Sequence, residues 1–137
     1  MVAIWRLHGV EQAPRDAYAV GTVLTGRSAG CICWFEAGIT DSFDPDLARS
    51  TAAWAKPTRQ AAGRRRASAE DYDSDDRRPV YARAVGAGMP GGITLEDGAP
   101  AEYEDERLVE VVAARAGGRA FRVDRAGEQT LTVRALL

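Results

Sequence analysis

Residues 57–79 limit what this chain can fold into more than any other stretch. They hold 11 of the 38 charged side chains, sorted by sign: Arg59 and Arg64-Arg65-Arg66, then Glu70, Asp71, Asp73, Asp75 and Asp76, then Arg77-Arg78. Tyr72 is the only large aromatic among them. Such a block buries too little apolar surface to offset the entropy of ordering it. The core must come from residues 1–56 and 80–137. The block itself reads as a flexible or partner-ordered insertion in a single domain spanning 1–137, without protection from hydrogen exchange in the isolated chain.

The total charge hides this segregation. The 18 cations and 20 anions sum to −2, split as −1 over 1–56, +1 over 57–79 and −2 over 80–137. That balance argues against a dedicated nucleic-acid binder, which shows a basic footprint. Lys56 is the only lysine, and there is no asparagine. Both residues have AT-rich codons, so a GC-rich bacterial or phage genome is implied. No apolar run approaches a membrane span. The start lacks a cationic stretch followed by an apolar one, as a signal peptide has. Cys31 and Cys33 make no disulfide framework. The expected location is cytoplasmic, or virion for a phage-derived chain.

The patterning predicts a mainly β fold, β-rich α+β, as an antiparallel or mixed sandwich or barrel-like single domain with one short helix. Strands are expected at 2–8, 17–25, 31–36, 80–85, 92–95, 107–115, 119–124 and 129–135. Tyr18, Val20, Thr22 and Leu24 alternate with Ala19, Gly21 and Val23. The run 31–36, Cys-Ile-Cys-Trp-Phe-Glu, suggests a strand buried on both faces and paired with 17–25 as a hairpin. Gly26, Ser28 and Gly30 read as the loop between those two strands. The helix is placed at 45–55: Asp44 as N-cap, Pro45 at the first position, Asp46 and Lys56 complementing the dipole, Pro57 as stop. Leu47, Thr51 and Trp54 would form its buried stripe. A hairpin at Gly117-Gly118 would join 107–115 to 119–124, with an odd loop putting Val109 and Val111 on the face of Phe121 and Val123.

Each chemical candidate competes with a structural reading. Cys31 and Cys33 on one strand face, with His8 near, would be a Cys2His zinc set lacking a fourth ligand. Buried structural cysteines are favoured, because free cysteine is among the most buried residue types. His8 is the only histidine, so any imidazole relay must use it, with Ser28, Ser42 and Asp41 as paper partners; nothing places them together, and no serine is read as lying in a Gly-x-Ser-x-Gly elbow. Gly86-Ala-Gly88-Met-Pro-Gly91 matches G-x-G-x-x-G. Pro90 and the strand pattern after it favour a tight loop over a dinucleotide site. Asp71-x-Asp73-x-Asp75 starts like a calcium loop, but Asp76 and Ala82 stand where Gly and Glu belong. Glu102, Glu104, Asp105 and Glu106 read as a solvated acidic loop.

The expectation is therefore a non-catalytic structural, assembly or interaction protein, such as a phage head, neck or tail component. A protein partner or homo-oligomer is expected, without cofactor, metal or small-molecule substrate. Its partner surface would be Arg64, Arg65, Arg66, Asp71, Asp73, Asp75, Asp76, Arg77 and Arg78. The alternatives are a small acidic immunity or inhibitor protein, and a small enzyme using carboxylates or a Cys/His site.

Overall fold

The computed structural model describes residues 2–39, 51–53, 67–69, 72, 76–105 and 107–136. The chain opens with three short helices, α1 (Val2–Leu7), α2 (Gln12–Ala19) and α3 (Ala29–Ile32). Strands β1 (Ala37–Ile39), β2 (Thr51–Ala53) and β3 (Ala67–Ala69) follow, then α4 (Arg77–Gly86). The remainder is β4 (Gly92–Leu95), β5 (Ala101–Glu104), β6 (Arg107–Ala113), β7 (Ala120–Asp124), β8 (Gly127–Thr130) and β9 (Arg134–Ala135). The fold is mainly β and mixed. One six-stranded sheet runs β2-β1-β3-β4-β7-β8, and a three-stranded one runs β5-β6-β9. No closed barrel forms among the described residues.

Strands β1, β3 and β4 are parallel, whereas β2, β7 and β8 pair antiparallel with their neighbours. A parallel pair needs a crossover, and α4 supplies it between β3 and β4. Pro79 sits in the first turn of α4, where its missing N–H costs no intrahelical bond. Val80, Tyr81 and Val85 turn inward from α4. They pack with Ile39, Tyr72, Phe121 and Val123 into the main core. A smaller core gathers Ala99, Val111 and Ala120, with Leu95, Leu108, Leu131 and Val133 against them.

The expected strands at 92–95, 107–115 and 119–124 correspond to β4, β6 and β7, and 129–135 divides into β8 and β9. Others are corrected. Residues 2–8 are α1 and the start of the turn after it, 17–25 are the end of α2 with a turn and an irregular stretch, and 31–36 is the end of α3 with the turn after it. No hairpin joins 17–25 to 31–36. Short apolar runs do not distinguish a helix turn from a strand by periodicity. Residues 80–85 lie inside α4, because Val80, Tyr81 and Val85 bury one helix side rather than one strand face. The Gly117-Gly118 hairpin is absent as well: β6 pairs with β5 and β9, while β7 pairs with β4 and β8. The acidic stretch 101–104 is a strand, β5, whose Glu102 lies opposite Glu110. Arg134 of β9 relieves that crowding, bonding both Glu110 oxygens at 2.8 and 2.7 Å. Most of the predicted helix at 45–55, including its caps, lies outside the described residues. Its positions 51–53 form β2 instead, where antiparallel pairing with β1 overrides helix propensity.

The described residues of the charged block, 67–69, 72 and 76–79, also belong to this architecture. β3 lies between β1 and β4 in the sheet. Tyr72 is 1% exposed in the main core, and its N–H donates to Leu95 O at 3.2 Å.

Candidate active site

Ser28 occupies a sharp turn between an irregular segment and a helix. Residues 22–27 run without regular structure, and α3 begins at Ala29. At Ser28 φ is 52° and ψ −137°. This is left-handed space that a non-glycine residue enters at a cost. Its neighbours make the turn feasible. A Cβ on Gly26 would meet Gly30 O at 2.3 Å and Cys31 N at 2.8 Å, so the incoming chain passes directly against the head of α3. Only glycine fits there. Gly30 N–H donates to Arg27 O at 3.0 Å and Cys31 N–H to Ser28 O at 2.9 Å, closing the turn.

The sequence over these residues is Gly26-Arg27-Ser28-Ala29-Gly30, the Gly-x-Ser-x-Gly spacing of a nucleophile elbow. In such an elbow the strained turn thrusts the serine hydroxyl outward at a helix start, and the next backbone N–H serves an oxyanion. Ser28 is exposed, as that role requires. The reading of Ser28 as a hairpin-loop residue outside any such elbow is corrected: Gly26 and Gly30 flank it at that spacing. The glycine spacing is the signal that identifies it, and the positive φ is its structural counterpart.

Three further segments meet near the C-terminal end of β4. Tyr72 N–H bonds Leu95 O there. The Arg27 guanidinium lies 3.7 Å from Asp97, which also takes Arg115 at 3.2 Å. Gly98 (φ 81°) turns the chain so closely that a Cβ would touch the Arg115 side chain at 2.9 Å. Beneath, Glu96 is buried and accepts Arg119 N–H at 3.1 Å and Arg119 Nε–H at 3.0 Å. Thus Tyr72 and the β4–β5 turn meet at the C-terminal end of a parallel strand, and the exposed Arg27–Asp97 pair links the elbow to them. Open α/β sheets place ligands at that end.

The other candidates fall differently. Cys31 lies in α3 and Cys33 just after it, so a two-residue spacing no longer puts both sulfurs on one face. Each is partly buried and free of disulfide. The Cys33 thiol donates to Gly30 O at 2.9 Å, and burial pushes its pKa up. His8 is exposed in the turn closing α1, and its backbone N–H bonds Ile4 O. Trp5 of α1 packs on Trp34, with ring centroids 6.3 Å apart, which brings α1 to the segment after α3. Among the described residues no hydrogen bond joins His8 to Ser28. Ser42 and Asp41 lie outside the described residues. Gly86 ends α4 and Gly88 (φ 110°) turns into β4, a loop with no helix starting at the glycines. Among the described residues no group of three metal-ligating side chains forms, and no helix is long and apolar enough to cross a membrane.

Of the residues expected to bind a partner, Arg64, Arg65, Arg66, Asp71, Asp73 and Asp75 lie outside the described residues. Asp76 is exposed before α4, and Arg77 opens that helix. Arg78 is engaged within the chain. Its Nε–H donates to Glu128 Oε2 at 3.1 Å and Nη2 pairs with Glu128 Oε1. Its guanidinium covers Phe121 at 4.7 Å and Tyr72 at 5.5 Å. The Tyr72 hydroxyl donates to Glu128 Oε2 at 2.7 Å. Burial, then the bond and charge of Glu128, push the Tyr72 phenol up. Burial also pushes the Glu128 carboxyl up, but Arg78 and the Tyr72 hydroxyl outweigh it and hold it below the usual range.

Comparison with known proteins places the chain in a family. The chain is 30% identical over 125 residues to the uncharacterized peptidase YgaJ of Bacillus subtilis (strain 168), covering 90% of this chain and 50% of that relative. The chain thus spans about half the length of the curated relative it matches. No solved structure matches. The model of peptidase family S51 matches residues 1–110. These matches overturn the expectation of a non-catalytic structural or assembly protein and of a virion component. The matched span covers both Gly26–Gly30 and the charged block. The chain belongs to peptidase family S51.

Proposed function

We propose that the chain carries the nucleophile of a serine peptidase, and that Ser28 is that nucleophile. The observation that supports this most directly is the conformation of Ser28, φ 52° and ψ −137°, between two glycines at the head of α3. Ser28 Oγ adds to the carbonyl carbon of the scissile peptide bond while a base takes its proton. The Ala29 N–H, the first backbone amide after the nucleophile, would be the donor to the developing oxyanion. Collapse breaks the C–N bond, the amine leaves with a proton, and water then hydrolyses the ester to free Ser28.

The test is labelling with a fluorophosphonate probe, which reacts with activated serines. One adduct is expected on the peptide containing Ser28, and none in Ser28→Ala. The pH profile of labelling identifies the base. A midpoint near the ordinary imidazole value of about 6.5 assigns His8, and one near about 4 assigns a carboxylate. An adduct on another serine, or undiminished labelling of Ser28→Ala, overturns the assignment.

A further inference from the structure

A cavity of about 550 Å³ opens between α4 and the β7–β8 corner. Ligand sites run to about 300–1,000 Å³, so it is large enough to hold a small molecule. Its walls include Tyr72, Arg78, Val123, Asp124, Arg125 and Glu128. It is separate from the elbow. Val123 pairs with Gly92 at the start of β4, whereas Asp97, the residue facing Arg27, follows the end of β4. A four-residue strand sets those ends about 10 Å apart.

The charges in the cleft select its ligand. Glu128 already accepts three hydrogen bonds, from the Tyr72 hydroxyl and from Nε and Nη2 of Arg78. It has little left for an added cation, and Arg78 stands beside it. A simple anion would face the carboxylates of Asp124 and Glu128. The rim, however, carries both signs next to each other. Asp124 uses one oxygen to accept the Ala126 N–H at 2.7 Å and keeps the other. Arg125 is exposed beside it, and the N–H groups of Arg78 not turned to Glu128 remain on a half-exposed guanidinium. The floor between them is apolar, formed by Val123 and α4. We propose that this cleft binds a free α-amino acid or a short zwitterionic peptide. Its carboxylate sits on Arg125 and the outer edge of Arg78, its ammonium on Asp124, and its side chain on the apolar floor. Two opposite charges at short separation on one ligand meet both demands of the rim, which a singly charged molecule cannot.

Tyr72 gives such a ligand a route to the reacting end of the molecule. Its hydroxyl is in the cleft network, and its backbone N–H is held at the C-terminal end of β4. Read with the peptidase assignment, the ligand class is that of the reaction's own products. The binding proposal itself does not depend on Ser28.

Isothermal titration calorimetry of the full chain at low ionic strength tests it, with L-alanine and L-alanyl-L-alanine as probes and acetate and ethylammonium as singly charged controls. The two zwitterions should bind saturably at about millimolar concentration, and the controls should not. Arg125→Ala and Asp124→Asn should each weaken binding about tenfold, the size of one lost charge-assisted contact. Both side chains are exposed, and Asn keeps an oxygen for the Ala126 N–H, so both variants should fold. Ser28→Ala should bind as well as the wild type. Absence of saturable binding up to about 50 mM overturns the proposal. So does equal binding of acetate. Binding lost in Ser28→Ala but kept in Arg125→Ala would place the ligand at the elbow, which overturns the cleft site and leaves the nucleophile assignment standing. Failure of fluorophosphonate to label Ser28 would do the reverse.

Discussion

The two glycines of the elbow should respond in opposite ways to the same added methyl group. At Gly26 an ideal Cβ lies 2.3 Å from Gly30 O, 2.6 Å from Gly30 C and 2.8 Å from Cys31 N. Carbon needs about 3.5 Å or more for comfortable contact, so the head of α3 must retreat by about 1 Å. All three atoms belong to the backbone, and no rotamer change relieves them. Overpacking costs about 1–3 kcal/mol, and a clash with fixed backbone belongs at the upper end. For a domain of this size that lowers Tm by about 10 °C. The alternative is that the turn opens, φ at Ser28 relaxes and stability is kept, in which case the serine loses its presentation. At Gly30 a Cβ meets nothing within 4 Å. Alanine there, in a helical position, should be neutral or stabilise by about 0.5–1 kcal/mol. Thermal melting and the second-order rate of fluorophosphonate labelling should be measured together. Gly26→Ala should lose most of its labelling rate, its Tm, or both, and Gly30→Ala should lose neither on steric grounds. If Gly26→Ala melts and labels like the wild type, the close approach of the incoming chain to α3 is wrong, and the elbow geometry falls with it.

Other perturbations probe the scaffold. Tyr72→Phe removes the hydroxyl from Glu128 while keeping the ring packed on Phe121. It should cost about 1.5–2 kcal/mol in urea denaturation, and an unchanged midpoint would mean the bond contributes nothing. Glu128 titrates below the ordinary carboxylate range when folded. Its contribution is therefore complete above the unfolded value of about 4.3 and is lost as pH falls through the lower folded value. The stability gap between wild type and Glu128→Gln should accordingly narrow in acid, and a gap independent of pH would refute the ionised pairing with Arg78. Ile39 is fully buried in the main core, so Ile39→Ala should cost about 2–5 kcal/mol. Val109 is 53% exposed, and Val109→Ala should stay within about 0.5 kcal/mol, a contrast that equal midpoints in urea would contradict.

How much of this was legible in the sequence varies with the range of the interactions. β4, β6 and β7 could be read, because Ile93, Val111 and Val123 lie in runs bounded by turn residues, and half-burial writes itself into such runs. The N-terminal elements could not. α1 and α2 expose Ile4, Leu7 and Tyr18 instead of burying an apolar stripe, so no helical period betrays them. α3 is a four-residue helix, too short for any period. Helix α4 was hidden differently. Its first residues, Arg77-Arg78-Pro79, belong by composition to the charged block, and the rest, Val80 to Val85, mimics strand alternation. Its place was fixed by the right-handed crossover that the parallel pair β3–β4 demands, a property of topology and not of local sequence.

The charged block makes the same point in electrostatic terms. Sorting by sign within 23 residues suggests that its charges answer one another or a partner. Yet Arg78 is neutralised by Glu128, 50 positions away, with its guanidinium lying over two aromatic faces. Sequence neighbours give charges their proximity only along the chain. What makes the Arg78–Glu128 pair strong is partial burial and a third bond from Tyr72, and only the fold supplies those. The elbow is the converse case. Gly26-x-Ser28-x-Gly30 is entirely local, so its chemistry was written in the sequence all along. Its meaning depended on whether the flanking residues formed a hairpin or a turn into a helix. The close approach of Gly26 to Gly30 O and Cys31 N and the helix start at Ala29 accompany the positive φ of Ser28. The expectation of a non-catalytic protein fails where the Gly26-x-Ser28-x-Gly30 spacing goes unread and the turn into α3 is taken for a strand.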